Sequence, residues 1–313
     1  MLRNGATDFM NHVPGKIVAA VAGAVIVLWL AGCATHKGRV AEATAEPRSC
    51  NYTLREDVVY TPADWPETLA GDVYQPECAG PHPGVLLVHG GGWERRSPDD
   101  MDAVAERLAK RGHVVFNIAY RFAPEYTFPA QVHDLQQATR WLRAHAGDLS
   151  LDAERIAGFG YSSGAHLVAL LGMIDAEDDL DTPYGGSTTR LQAVVAGGTP
   201  ADLRAFEGSG LIQRFLGTTL AENPGRYARA SPLTHIDADD PPTFLYHGGW
   251  DTLVPASQAR NMYARLQAAG VPAELYIVNG YGHITLFTIN RSSVNEAIGF
   301  LDGVLGQPAA VAE

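Results

Sequence analysis

The stretch Gly160-Tyr161-Ser162-Ser163-Gly164 decides the fold, because a short β-rich run, Arg155–Phe159, precedes it and an apolar helical run, Gly164–Ile174, follows it. A sharp strand-to-helix turn strains the backbone of its central serine and leaves room only for tiny side chains two residues before and after it. Ser162 has glycine at both positions, and Ser163 does not. The stretch therefore predicts a reactive, accessible Ser162. The alternative is an ordinary turn whose serine caps the helix.

Outward from this turn, short apolar runs alternate with longer amphipathic runs. Strands without polar alternation are buried on both faces, and intervening helices indicate a mostly parallel sheet with helices on both sides. We expect one α/β domain over residues 49–313, since no repeat and no Pro/Gly/Ser linker divides it. The eight expected strands begin with an antiparallel hairpin and are Asn51–Tyr60, Leu69–Gln75, Pro83–Val88, His113–Ala119, Arg155–Phe159, Leu191–Ala196, Thr243–Tyr246 and Glu274–Val278.

A glycine run follows the strand Pro83–Val88, in His89-Gly90-Gly91-Gly92-Trp93. Glycines allow backbone N–H groups to point at a ligand oxygen, and a flexible turn is the alternative interpretation. The run resembles the His-Gly-Gly-Gly loop of lipases and esterases. That resemblance implies that the N–H groups of Gly91, Gly92 and Ser163 form an oxyanion hole.

Two further loops supply an acid and a base in the chain order Ser, Asp, His. Asp251 follows the strand Thr243–Tyr246, and His283 follows the strand Glu274–Val278. Both residues therefore lie at carboxyl ends of parallel strands, the edge where sites form in open α/β sheets and where Ser162 also lies. We expect His283 to take the proton of Ser162 and Asp251 to orient the imidazole.

Together these motifs resemble the α/β-hydrolase superfamily, in particular the carboxylesterase branch with hormone-sensitive-lipase-like and BD-FAE (feruloyl-esterase-like) hydrolases. The resemblance spans roughly residues 52–304 and includes Asp72-Val73-Tyr74-Gln75-Pro76, Tyr120-Arg121-Phe122-Ala123-Pro124-Glu125 and Ser231-Pro232-Leu233. It implies an α/β-hydrolase fold with a mostly parallel eight-stranded sheet. It also implies a serine carboxylesterase that hydrolyses small to medium acyl esters or aromatic esters through an acyl-enzyme, without a cofactor.

The sequence defines the substrate pocket less well. We expect Trp93 and Tyr161 to contact the substrate, and residues 203–230 to form a small cap. The apolar candidates for the lining of this cap are Phe206, Leu211, Phe215 and Leu216. A tryptophan at position 93 also recurs in formamidase-like relatives, so an aryl amidase is an alternative activity. A non-catalytic protein that binds a ligand or partner with this fold is a second alternative.

The N-terminal segment predicts export. Basic residues precede an apolar run, Ile17–Ala31, and the run ends in Leu30-Ala31-Gly32-Cys33, which resembles a bacterial lipobox. The resemblance implies a signal peptide over residues 1–32, a lipid on Cys33 and a flexible tether over residues 33–48. The expected location is the bacterial cell envelope, at the outer membrane or periplasm in a Gram-negative cell. An uncleaved anchor or simple secretion is the alternative.

Cys50 and Cys78 flank the expected N-terminal hairpin. Export makes a disulfide permissible, and pairing of the two strands would place both cysteines at the open end of the hairpin. We expect the two residues to be bonded, and two unpaired thiols are the alternative.

Composition excludes several other functions. The net charge is −12, from 23 Lys and Arg against 35 Asp and Glu, and no basic stripe suggests a nucleic-acid partner. No His/Cys/Asp cluster has metal-ligand spacing, and no glycine loop matches a dinucleotide or phosphate fingerprint. The expected partners are therefore a small-molecule ester and, through the lipid anchor, a membrane. The sequence does not predict an oligomeric state.

Overall fold

The computed structural model describes residues 34–40, 49–289 and 291–306. The expected signal peptide, the expected lipidation site Cys33 and residues 41–48 of the expected tether lie outside these ranges. Within the described residues, no helix is both long enough and apolar enough to cross a membrane.

One sheet contains nine strands in the described part of the chain. They are β1 (Ala34–Lys37), β2 (Tyr52–Val59), β3 (Ala70–Pro76), β4 (His82–Val88), β5 (Val114–Ile118), β6 (Leu151–Tyr161), β7 (Ala193–Gly197), β8 (Thr243–Gly248) and β9 (Ala273–Val278). Their order across the sheet is β1-β9-β8-β7-β6-β4-β5-β3-β2. Strands β4 to β9 run parallel, whereas β1, β2 and β3 pair antiparallel with their neighbours.

The eight predicted strands are present as β2 to β9, and β1 is an addition. It lies in residues that we expected to belong to a flexible tether, and that expectation does not hold for residues 34–37, which pair with β9. His36 Nε2 lies 2.6 Å from a carboxylate oxygen of Glu274, and the N–H of Val40 donates to the same carboxylate. Because β1 is held by backbone and polar contacts, it carries little of the apolar pattern that identifies a strand in a sequence.

Helices cover both faces of the sheet, as predicted for an α/β-hydrolase. They are α1 (Asp102–Lys110), α2 (Ala130–Ala144), α3 (Ser163–Met173), α4 (Gly210–Leu216), α5 (Pro224–Arg229), α6 (Ser257–Ala269), α7 (His283–Ile289) and α8 (Arg291–Leu305). Buried side chains of α2, α3 and α6 pack on one face, and those of α1 and α8 pack on the other.

Strand β4 shows why the central strands lack polar alternation. Leu86 and Val88 point into one core, Val85 and Leu87 point into the other, and none of the four is exposed. Burial of each such side chain stabilises the fold by about 1.5–3 kcal/mol. The central strands thus form a rigid frame for the residues at their carboxyl ends.

The hairpin of β2 and β3 begins and ends at the two predicted cysteines. Tyr52 pairs with Pro76 at its open end, and a disulfide joins Cys50 to Cys78 just beyond that pair. The structure therefore contains the disulfide that the sequence suggested. It lies at the end of the sheet where β4 begins.

Candidate active site

Ser162 occupies the sharp turn between β6, which ends at Tyr161, and α3, which begins at Ser163. Its backbone angles are φ 55° and ψ −120°, in a region that residues with side chains rarely adopt. The N–H of Ser162 donates to the carbonyl oxygen of Gly197, 2.7 Å away, and this bond helps to hold the turn. The observed conformation is the strained one that the glycine pattern predicted.

The glycines on each side of Ser162 are required by close backbone contacts. A Cβ atom on Gly160 would lie 2.4 Å from the carbonyl carbon of Gly164. A Cβ atom on Gly164 would lie 2.2 Å from the carbonyl oxygen of Val88. Real Cβ atoms essentially never approach another heavy atom so closely. Both positions therefore exclude every side chain, and the turn can present its serine only with this sequence.

The structure brings the three predicted catalytic side chains together. Nε2 of His283 lies 2.9 Å from Oγ of Ser162, and Nδ1 of His283 lies 2.6 Å from Oδ2 of Asp251. An ionised Asp251 can only accept, so Nδ1–H of His283 donates to it and Nε2 is left to accept the hydroxyl proton of Ser162. This arrangement places Nε2 of His283 where it can accept a proton from Ser162.

Both oxygens of the Asp251 carboxylate accept hydrogen bonds. Its other oxygen, Oδ1, accepts from the backbone N–H groups of Leu253 and Val254 at 3.0 and 2.8 Å. Burial opposes the charge, but hydrogen bonds from His247 and His283 outweigh it and hold the pKa of Asp251 well below its usual range. Asp251 therefore stays ionised at neutral pH, with its charge directly beside the imidazole of His283.

His247 supports the same loop from β8. Its Nε2 lies 2.7 Å from the carbonyl oxygen of Val254 and 3.3 Å from Oδ2 of Asp251. Because the side chain of His247 has no exposed surface, its position is set by packing. His247 thus braces the Asp251 loop from inside the fold.

The glycine run lies beside the nucleophile, with Gly91 at φ +120° and Gly92 at φ +69°. The N–H of Gly92 donates to Oγ of Ser163 over 3.0 Å, so it is already engaged within the protein. This contact departs from the expectation that Gly92 donates to an oxyanion. Gly91 and Ser163 border the pocket, and their N–H groups are left as the candidate donors.

A pocket of about 220 Å³ opens above Ser162 and His283. Its wall is mostly apolar and includes Phe206, Leu211, Ile212, Leu253, Ile284 and Phe287. Arg95, Arg96 and Asp100 border it near the glycine run. Among the described residues, no group of three or more His, Cys, Asp or Glu side chains could hold a metal ion.

The chain is similar to known proteins in sequence and in fold. The family model BD-FAE matches residues 72–266, which is more than half of the chain. The chain belongs to the BD-FAE family. Esterase LipC of Mycobacterium tuberculosis is 33% identical over 218 residues, which cover 65% of this chain and 53% of LipC.

Solved structures place the BD-FAE chain among α/β-hydrolase esterases. A truncated carbohydrate esterase from gut microbiota has a TM-score of 0.72 and 25% identity, with 85% of this chain and 98% of that chain covered. The thermophilic esterase Est2 of the planctomycete Thermogutta terrifontis has a TM-score of 0.66 and 26% identity, with 81% and 92% covered. The chain spans about half the length of the curated relatives it matches, and these relatives are named as ester hydrolases.

Trp93 and Tyr161 border the pocket of this BD-FAE protein, but both side chains are only 3% exposed. The indole of Trp93 stacks on Phe215 with ring centroids 4.4 Å apart, and its N–H donates to His166. Trp93 therefore supports the glycine run from below, and the substrate contact that we expected of it stays a prediction. Tyr161 likewise uses its hydroxyl inside the protein, where it donates to the carbonyl oxygen of His283.

The expected cap is present only in part. Residues 203–230 contain two short helices, α4 and α5, and Phe206 and Leu211 line the pocket as predicted. Phe215 and Leu216 are buried instead, because they pack into the core beneath the pocket. The pocket wall also includes Leu253, Ile284 and Phe287 from the Asp251 and His283 loops. Sequence patterns do not identify these three residues, since a single apolar residue in a loop has no periodicity.

Two further histidines near the pocket are structural. His166 is fully buried in α3, where its Nε2 lies 2.6 Å from the carbonyl oxygen of Ala230, and burial lowers its pKa to about 4. His89 stacks on Tyr120 with ring centroids 4.6 Å apart, and burial lowers its pKa to about 4 as well. Both stay neutral at physiological pH, so His283 is the histidine that is placed to exchange a proton with Ser162.

Proposed function

We propose that this BD-FAE protein hydrolyses carboxylic esters with small to medium acyl groups or aromatic groups, by an acyl-enzyme mechanism on Ser162. The observation that carries the proposal is the chain of contacts from Ser162 Oγ to His283 Nε2 and from His283 Nδ1 to Asp251 Oδ2. Three side chains from three separate strand ends meet with the donor and acceptor order that nucleophilic catalysis requires.

The first half-reaction transfers the acyl group to the protein. Ser162 Oγ attacks the ester carbonyl carbon while His283 Nε2 removes its proton, and the carbonyl oxygen becomes an oxyanion. The N–H groups of Gly91 and Ser163 stabilise this oxyanion, each by about 2.7–4 kcal/mol in the transition state. The imidazolium of His283 then gives its proton to the leaving alcohol, and an ester bond to Ser162 remains.

The second half-reaction repeats these steps with water in place of the serine. His283 removes a proton from water, the hydroxide attacks the acyl carbon, and the proton returns to Ser162 Oγ as the acid leaves. The ionised Asp251 stabilises the positive charge on His283 in both halves, which its strongly lowered pKa favours.

The pocket supports a preference for compact, apolar substrates. Its volume of about 220 Å³ and its wall of aromatic and aliphatic side chains suit a short acyl chain or a single aromatic ring. The small cap around Phe206 and Leu211 closes one side of this space. These features do not choose between the ester and the corresponding aryl amide, which must be compared directly.

A panel of 4-nitrophenyl esters, from acetate to laurate, together with matched 4-nitroanilides, tests this function. We expect rapid hydrolysis of short to medium esters, slower hydrolysis of laurate, and amide rates far below the rates of the matching esters. Faster hydrolysis of the anilides would show that the protein is an amidase. A complete lack of hydrolysis for the whole panel would favour the non-catalytic alternative.

We also propose that Cys33 carries a lipid and attaches the mature chain to the bacterial cell envelope. The support is the sequence Leu30-Ala31-Gly32-Cys33 at the end of the apolar run Ile17–Ala31. Mass spectrometry of the N-terminal peptide from purified envelope fractions tests this proposal. We expect an acylated peptide that begins at Cys33, and no such peptide from Cys33→Ala. An unmodified Cys33 within an uncleaved N-terminus would show that the run is a plain anchor.

A further inference from the structure

The first strand shows where the N-terminal segment leaves the folded domain. Strand β1 is antiparallel to β9, and Ala34 pairs with Val278, the last residue of β9. The carboxyl ends of β4 to β9, which we call the carboxyl edge, also carry Ser162, Asp251 and His283. Ala34 therefore lies at the carboxyl edge, on the active-site side of the sheet.

This first strand is firmly held. Strand β1 pairs with β9, and two polar contacts add to this pairing. The carboxylate of Glu274 lies 2.6 Å from Nε2 of His36 and accepts from the N–H of Val40 over 2.9 Å. Both partners of Glu274 lie on the part of the chain that follows Ala34. The chain that precedes Ala34 thus begins at the carboxyl edge, and Cys33 and the apolar run Ile17–Ala31 are its nearest part in the sequence.

Exposed apolar side chains are concentrated at the same edge. Among the described residues, six large hydrophobic side chains are exposed, and four of them lie in the loops or helix that follow β8 and β9. We call these four the apolar rim: Trp250 (68% exposed), Leu253 (61%), Ile284 (59%) and Ile289 (64%). Leu253 and Ile284 also line the pocket, so the apolar rim reaches the mouth of the active site.

The surroundings of the apolar rim carry few charges. Residues 252–257 and 279–289 contain no Asp, Glu, Lys or Arg, although the chain as a whole has a net charge of −12. The charged groups on the other side of the pocket include the exposed Arg95 and Arg96 and the carboxylate of Asp100, and Nη1 of Arg96 lies 3.3 Å from Oδ1 of Asp100. An acidic protein thus presents an uncharged apolar surface where its N-terminal segment begins, with Arg95 and the Arg96–Asp100 ion pair beside it.

We propose that the carboxyl edge lies against a lipid bilayer, with the apolar rim in contact with the lipid and the pocket open toward the membrane surface. A bilayer is the occupant that these observations favour, because the expected lipid on Cys33, or the apolar run Ile17–Ala31 in an uncleaved chain, attaches at this edge. Tryptophan is enriched where proteins meet the membrane interface, and arginine pairs with lipid phosphates.

The orientation has a consequence for the substrate, and this part rests on the proposed ester hydrolysis. A pocket that opens onto a membrane receives esters that partition into the lipid or adsorb on its surface. The substrate class would be amphiphilic: an alcohol held in the lipid that presents a short or aromatic acyl group at the interface. Esters that are free in solution would have to enter the pocket from the aqueous layer between the protein and the membrane.

Fluorescence quenching tests the orientation without any need for catalysis. The full chain is reconstituted in vesicles whose acyl chains carry bromine, which quenches a tryptophan within contact distance. We expect Trp250 to be quenched, so that Trp250→Phe loses a quenched component while the signals of Trp65, Trp93 and Trp141 persist. Trp29 is absent from a chain that begins at Cys33 and, in an uncleaved chain, contributes equally to both proteins. Equal quenching in the two proteins would overturn the proposal, as would a failure of the full chain to associate with vesicles.

A second experiment compares the hydrolysis of a soluble ester with that of a similar ester held in a lipid bilayer. The variant Trp250→Ser/Ile289→Ser changes two rim residues that do not line the pocket, and Leu54→Ser/Val59→Ser is the matched control at the far edge of the sheet. We expect the rim variant to keep its rate on soluble 4-nitrophenyl acetate and to lose roughly tenfold on a short acyl ester of a lipid-embedded alcohol. The control should keep both rates.

The outcomes separate the two proposals. If the unaltered protein hydrolyses neither ester, the proposed function fails, and the quenching result still decides the orientation. If the rim variant keeps both rates, the orientation has no role in substrate access and this inference is wrong. If the rim variant and the control lose activity equally, the loss follows from the removal of exposed apolar side chains anywhere on the surface. This result would also contradict the inference.

Discussion

The buried hydroxyl of Tyr161 donates a hydrogen bond to the backbone carbonyl oxygen of His283, and the two oxygens are 2.6 Å apart. Tyr161 is the residue before the nucleophile, and its ring also lies beside the imidazole, with centroids 5.2 Å apart. The bond therefore ties the loop of the base to the strand of the nucleophile. We infer that it sets the distance between Ser162 and His283.

Tyr161→Phe should lower kcat by about tenfold and leave KM nearly unchanged, because a buried carbonyl left without its donor costs about 1–3 kcal/mol and shifts the base. Steady-state kinetics on a short ester measure both constants. Tyr184→Phe, in a half-buried position away from the pocket, is the matched control and should retain the full kcat. An unchanged kcat in Tyr161→Phe would show that the bond does not position His283.

Gly164→Ala should prevent folding of the turn, because its Cβ atom would lie 2.2 Å from the carbonyl oxygen of Val88. Gly299→Ala provides the contrast, since a Cβ atom there meets no heavy atom within 4 Å and the residue lies inside α8. We expect this control to raise the free energy of unfolding by roughly 0.5–1 kcal/mol. Urea unfolding and esterase activity of the two variants measure the difference. A stable, active Gly164→Ala would contradict the steric account of the turn.

These glycines also show what the sequence alone could predict. The spacing of Gly160 and Gly164 around Ser162 was informative because one backbone geometry demands it, and Asp251 and His283 followed from their places after apolar strands. The fold, its helices on both faces and the eight strands β2 to β9 were predictable for the same reason, since burial imposes a periodic pattern.

The features that the sequence did not reveal depend on contacts without a local pattern. Strand β1 is polar and is held by Glu274, which is far away in the chain. The engagement of the Gly92 N–H by Ser163 Oγ depends on the relative placement of two loops. The indole of Trp93 stacks on Phe215 of α4, a contact between residues that lie far apart in the sequence.

Asp240→Asn should stabilise the protein in a pH-dependent way. Burial, together with the nearby Asp237 and Asp175 carboxylates, raises the pKa of Asp240 to about 7. The folded state therefore keeps a proton that the unfolded chain releases near pH 4, and stability is lost as the pH rises toward 7. We expect the gain from Asp240→Asn to grow between roughly pH 4 and pH 7 and then to level off.

Urea unfolding at several pH values measures this gain. Asp239→Asn is the control, because its side chain is exposed and its substitution should give no pH-dependent gain. A gain from Asp240→Asn that is the same at all these pH values would mean that Asp240 is ionised throughout the range.

Removal of the disulfide should lower stability without a loss of activity. Cys50 and Cys78 are 28 residues apart, and closure of a loop of this length stabilises a protein by about 3–4 kcal/mol in the chain-entropy model. The disulfide lies where β4 begins, at the end of the sheet that is opposite to the carboxyl edge. We therefore expect Cys50→Ala/Cys78→Ala to unfold at a lower urea concentration and to keep its kcat. A large loss of kcat in the folded variant would show that the hairpin influences the active site.

Covalent labelling of Ser162 tests the central claim most directly. The protein is incubated with a phosphonate ester that reacts with activated serines, and the modified peptide is identified by mass spectrometry. We predict one adduct on Ser162, none in Ser162→Ala, and a loss of ester hydrolysis in that variant of about 10⁴-fold or more at unchanged stability. An adduct on another residue, or a folded Ser162→Ala that turns over esters at the original rate, would contradict the mechanism.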